Sequence, residues 1–80
     1  MPTYLLQHRH RPDECEAAFA AWQGFASPLR GSSALSTCLE GAHELWWVIP
    51  ARDSTAVIEL LPRFVAERSS VTRVREVSIP

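Results

Sequence analysis

Residues 43–50 read His-Glu-Leu-Trp-Trp-Val-Ile-Pro, and the adjacent Trp46 and Trp47 constrain the fold more than any other feature. In a β-strand, neighbouring side chains point to opposite faces of the sheet, so the two indoles need housing on two different sides. A sheet covered by helices on one side only leaves one indole under the helices and the other on open ground. A large exposed apolar patch marks an interaction surface. The expected partner is a second copy of the chain, packed sheet against sheet in a closed twofold contact.

The rest of the chain supplies the elements for such a sheet. Residues 3–10 alternate, with Tyr4, Leu6, His8 and His10 on one face and Leu5, Gln7 and Arg9 on the other. Pro12 stops this strand and suits the first turn of a helix, with Asp13 and Glu14 against the positive end of its dipole. Cys15, Ala18, Phe19, Trp22 and Ala26 recur at helical spacing, which predicts a helix over 13–24. Strands follow at 34–40 and 43–50, joined by Gly41-Ala42 in a type II′ turn that sets Glu40 opposite His43, Cys38 opposite Leu45 and Ser36 opposite Trp47. Asp53 is a helix N-cap. Val57, Leu60, Leu61, Phe64 and Arg68 predict a helix over 54–67, kinked at Pro62. Residues 71–79 alternate with polar groups on both faces, as an edge strand does. The order β-α-β-β-α-β in a single domain, 1–80, predicts an α+β fold: the ferredoxin-like arrangement, with a four-stranded antiparallel sheet and both helices on one face.

Composition narrows the function classes. The 80 residues are 46% apolar and carry a net charge of −1, so no field draws the chain to nucleic acid or to an anionic membrane. The apolar run Ala17–Trp22 is far too short to span a bilayer, and no basic-then-apolar leader is visible, which reads as a cytoplasmic domain. Every basic residue is Arg. The two cysteines, Cys15 and Cys38, are too few for a disulfide framework and read as small buried hydrophobes. There is no glycine-rich phosphate loop, no G-x-S-x-G, no aromatic RNA-binding pattern and no M-x-C-x-x-C copper loop.

The opening MPTYLLQH, the passage LWWVIPARDSTAV and the closing VREVSIP resemble small actinobacterial proteins of the dimeric α+β-barrel group, within it uncharacterised short domains. The resemblance implies a dimeric barrel. It also implies a pocket between helices and sheet or inside the barrel, as in the group's monooxygenases, isomerases and tailoring enzymes. A related short family includes nickel-binding members, and His8 matches a position that recurs there.

Three functions remain. A small-molecule-binding or tailoring protein would work without a cofactor through His8, because an imidazole titrates near neutrality and moves protons unaided. Tyr4 shares the face of His8, and Trp46, Trp47, Leu6 and Val48 would wall the ligand. A metal-binding protein would use the H-x-H of His8 and His10, about 6.5–7 Å apart on one strand face, to hold nickel or zinc. His43, Glu40, Glu44 or a symmetry mate would give the third ligand. The third possibility is a module that only dimerises. If the open face lines a cavity, His8 is the deeper imidazole and His10 the exposed one.

Overall fold

The computed structural model describes all residues, 1–80. Four strands form one sheet: β1 (Thr3–Arg9), β2 (Leu35–Ser36), β3 (Glu44–Pro50) and β4 (Ser69–Val74). The spatial order is β2-β3-β1-β4, and every neighbouring pair is antiparallel. Three short helices, α1 (Cys15–Ala20), α2 (Ser54–Ile58) and α3 (Arg63–Ala66), complete an α+β fold. None is long and apolar enough to cross a membrane.

β1 is central, and its alternation decides the core. Tyr4, Leu6 and His8 are buried, with Ile49, Trp47 and Leu45 respectively opposite them on β3. Tyr4, Leu6 and Ile49 join Ala51, Val57, Leu61 and Val65 in the apolar core, so this is the face the helices cover. Trp47 is on that side too, its ring 6.2 Å from that of Trp22. Trp46, opposite Gln7 and Leu35, faces the other way beside Leu5 and Val48, and Val48 is 66% exposed. The two indoles are therefore split across the sheet, and the uncovered face is the Trp46 face.

That assignment corrects the placement of the histidine row. Tyr4, Leu6, His8 and His10 do not look onto the open face. The row lies beneath the helices because its cross-strand partners, Trp47, Ile49 and Val71, make it the side with most apolar area to bury.

Four element boundaries also differ from those the sequence predicts. β2 has two residues, because Cys38–Glu40 coil into a 3₁₀ turn and Gly41 takes a left-handed φ of 92°. Thr37 closes this longer loop: its carbonyl accepts from Glu40 N and Ala42 N, and its hydroxyl accepts from Glu44 N. Ser36 therefore pairs with Leu45 rather than Trp47, a slip of two residues that leaves each side chain on its expected face. α1 spans Cys15–Ala20 after a 3₁₀ turn at Pro12–Glu14. The second helical region is divided rather than kinked: α2 ends at Ile58, and Pro62, which forbids a helical residue before it, caps α3. β4 stops at Val74 because its partner Thr3 is the first residue of β1, leaving 75–79 nothing to pair with.

Asp53 does cap α2, its carboxylate accepting from Ala56 N at 2.8 Å. Asp53→Ala should cost about 1 kcal/mol of stability, read as a lower urea midpoint at unchanged slope. An unchanged midpoint would mean that the cap contributes nothing.

Candidate functional site

At the end of the sheet where β1 leaves for α1, three segments converge. β1 brings His8, and its continuation brings His10; α1 begins at Cys15; the β2–β3 loop carries Cys38 and His43. The His10 N–H donates to the His43 carbonyl at 3.1 Å, which ties the end of β1 to the loop. Glu14 fixes the approach of α1: one carboxylate oxygen accepts from Arg11 N, and the other accepts from Arg68 Nε, each at 2.9 Å. Arg68 sits just before β4 and stacks its guanidinium on Phe64, 3.7 Å from the ring centre. The Pro12 turn thereby doubles the chain back and sets Cys15 beside His10.

The hydrogen bonds determine which nitrogens carry protons. His8 Nδ1 lies 3.3 Å from both the Val65 carbonyl and Ser69 Oγ, and the Ser69 hydroxyl donates to that same carbonyl at 2.6 Å. A carbonyl oxygen only accepts, so His8 carries its proton on Nδ1 and its Nε2 is an acceptor. That Nε2 is 2.9 Å from His10 Nδ1, which must be the donor. His10 Nε2 is thus left with a free lone pair. The Cys38 thiol approaches this nitrogen, with Sγ 4.0 Å away.

One donor atom each from His10, Cys15 and His43 lie within 4.8 Å of one another. His43 Nδ1 is buried with no hydrogen-bond partner, the one side-chain polar atom in the protein so placed. Leaving a buried polar group unpaired costs about 1–3 kcal/mol, so such an atom calls for an explanation.

Burial disfavours the charged form of both inner histidines. Burial pushes the pKa of His8 below its ordinary value, and the neighbouring His10 adds to the effect. Burial does the same to His10, aided by His43 and opposed by Glu14. The unfolded chain therefore binds protons more readily below about pH 6.5, the ordinary histidine value. Stability should be complete above that pH and fall as pH drops through it toward the lowered folded values. Urea midpoints between pH 8 and 5 check this, and a stability that rises on acidification would contradict it.

The site differs from the sequence reading in its membership. His8 and His10 do meet, but by bonding to each other, so they are not two free ligands for one ion. With both ring nitrogens engaged and 1% exposure, His8 is not an accessible acid–base group. His10 is 4% exposed rather than solvated, because the loop and Phe19 close over it. Glu44 leaves the cluster: it faces the other side of the sheet, accepting from Gln7 Nε2 at 2.6 Å and Arg9 Nη2 at 3.3 Å. Glu40 is exposed on the 3₁₀ turn. Tyr4 and Leu6 belong to the core, and the expected ligand walls are divided, Leu6 and Trp47 under the helices, Trp46 and Val48 on the open face.

Cys15 and Cys38 are the residues that sequence reasoning missed. The signal was the pairing of His10 with a cysteine five residues on, across a proline turn that reverses the chain. A second feature, a groove of about 420 Å³, runs along the edge of the helical layer between Phe19, Trp22, Leu29, Leu45 and Trp47, with Arg30 at its lip.

No family model, no curated protein and no solved structure matches the chain. What the site can do follows from its donor set. Two imidazoles and a thiol suit zinc, nickel or another borderline transition metal, and do not suit magnesium or calcium, which take oxygen ligands.

Proposed function

We propose that this protein binds one divalent transition-metal ion, zinc or nickel, through His10 Nε2, His43 Nδ1 and Cys15 Sγ. The observation that carries this reading is the buried, unpartnered Nδ1 of His43, a residue that offers one donor atom within 4.8 Å of donor atoms of His10 and Cys15. A metal ion gives that nitrogen the partner it lacks. The bonds running from Val65 and Ser69 through His8 to His10 have the form of the outer shell that orients metal-binding histidines, in which the non-ligating N–H is held by an acceptor. His8 acts here as a positioning residue. Calorimetric titration tests the proposal: zinc and nickel should bind one to one and magnesium should not, whereas no heat from either transition metal would refute it.

A second reading, binding of a small apolar molecule without any cofactor, is favoured by the groove between Trp22, Leu29 and Trp47. In either case we place the chain in the ferredoxin-like class, as its strand order supports, and with the dimeric α+β-barrel proteins its opening and closing segments resemble. We propose a homodimer through the open face, on the strength of Trp46, Leu35 and Val48 gathered there. Light scattering should give twice 9.0 kDa, and Trp46→Asp should give 9.0 kDa. A monomer before the substitution would remove the dimer from the account.

A further inference from the structure

We infer that Cys38 is the fourth ligand of the ion proposed above, which makes the centre a closed site of two imidazoles and two thiolates with no position left for substrate. This rests on the metal-binding reading and adds to it the coordination number, and with that the kind of role.

Distance is the first argument. In a tetrahedral zinc site with Zn–N near 2.0–2.1 Å and Zn–S near 2.3 Å, a nitrogen and a sulfur ligand are roughly 3.6 Å apart. Cys38 Sγ is already 4.0 Å from His10 Nε2, the nitrogen whose lone pair the His8 relay leaves free. That contact is a few tenths of an ångström from the ligand spacing, but Cys38 lies outside the group of donor atoms within 4.8 Å of one another, so the β2–β3 loop must also carry it toward the other ligands. Cys38 stands on the 3₁₀ turn Cys38–Glu40, outside the apolar core cluster, and its backbone N–H donates to Ser36 Oγ.

Charge is the second. A divalent cation with two neutral imidazoles and one thiolate keeps a net charge of +1 in a site whose inner histidine is almost wholly buried. An uncompensated buried charge is expensive. Glu14, the carboxylate that acts on His10, is committed to Arg68 and to the Arg11 N–H, and Glu44 is on the other face of the sheet. A second thiolate brings the centre to neutrality, and Cys38 is the only other cysteine in the chain. On binding, the ion displaces a proton from each thiol to solvent and forms two metal–sulfur and two metal–nitrogen bonds, so two protons leave per ion.

Occupancy would then pin α1 and the β2–β3 loop to the end of β1. These elements are otherwise joined there mainly by the His10–His43 and Glu14–Arg68 contacts. Such a centre stabilises or signals a folded state and does not turn over a substrate, because catalytic zinc sites keep one position open.

Cobalt(II) makes the thiolates countable, because the near-ultraviolet sulfur-to-cobalt charge-transfer band grows with each thiolate bound. The protein titrated with cobalt(II) should show that band with visible bands of tetrahedral intensity at one ion per chain. Cys38→Ser should bind with roughly half the charge-transfer intensity. An undiminished band in Cys38→Ser would overturn the inference and leave the three-ligand reading standing, whereas no band and no binding in the unaltered protein would sink that reading itself. X-ray absorption at the zinc edge of the unaltered protein needs no variant: two sulfur scatterers per zinc are expected, and one would exclude Cys38.

Discussion

Zinc added at a free concentration a hundred times its dissociation constant should raise the melting temperature by roughly 10–20 °C. That concentration stabilises the folded state by about 2.7 kcal/mol, and in a domain of this size each kcal/mol is worth about 4–8 °C. His43→Ala should abolish the shift. The same variant should melt, without metal, no lower than the unaltered protein, because the substitution removes a buried nitrogen that has no partner to lose. This pairing separates the ligand role of His43 from a structural one. A His43→Ala protein that is destabilised without metal, yet still stabilised by zinc, would assign the residue to packing.

The second large effect lies in the core. Leu6 is fully buried at the middle of the central strand, opposite Trp47 on one side and Val71 on the other. Truncation leaves a cavity that the paired strands cannot collapse around, so Leu6→Ala should cost about 2–5 kcal/mol. An 80-residue chain has a thin core and stability of the order of 5–15 kcal/mol at most. The variant should therefore melt roughly 8–40 °C lower, at about 4–8 °C per kcal/mol, or fail to fold at 37 °C. A loss under 1 kcal/mol in urea unfolding would mean that Leu6 is not packed as described.

Much of the sheet was legible in the sequence, for reasons that can be named. The alternation of Tyr4, Leu6 and His8 against Leu5 and Gln7 is a period-two signal, and adjacent tryptophans admit only a two-sided strand. Asp53 was legible because capping is local chemistry. The side of the sheet that the helices cover was not legible. Alternation sorts residues into two faces without saying which is inside, and both faces of β3 are apolar. The ends of β2 and β4 were missed because they depend on partners: β4 lasts only as long as β1 lies beside it, and β2 yields where Thr37 caps the loop.

The site was half legible. H-x-H spacing brings His8 and His10 together, but spacing alone does not say whether two imidazoles share an ion or bond to each other. That outcome depends on Val65 and Ser69, 57 and 61 residues away in the chain. The cysteines read as hydrophobes because neither belongs to a C-x-x-C or other short metal-ligand spacing, although His10 stands five residues before Cys15 and His43 five after Cys38. Cys15 reaches His10 only through the Pro12 turn and the Glu14–Arg68 pair, and Cys38 only through the 3₁₀ turn that shortens β2.

The most direct measurement is anomalous diffraction at the zinc edge from crystals of the protein grown with one equivalent of zinc. The account places a single peak per chain within bonding distance of His10 Nε2, His43 Nδ1 and Cys15 Sγ, with His8 Nε2 still hydrogen-bonded to His10 Nδ1. A peak bound to His8, a peak elsewhere on the surface, or none at all would contradict it.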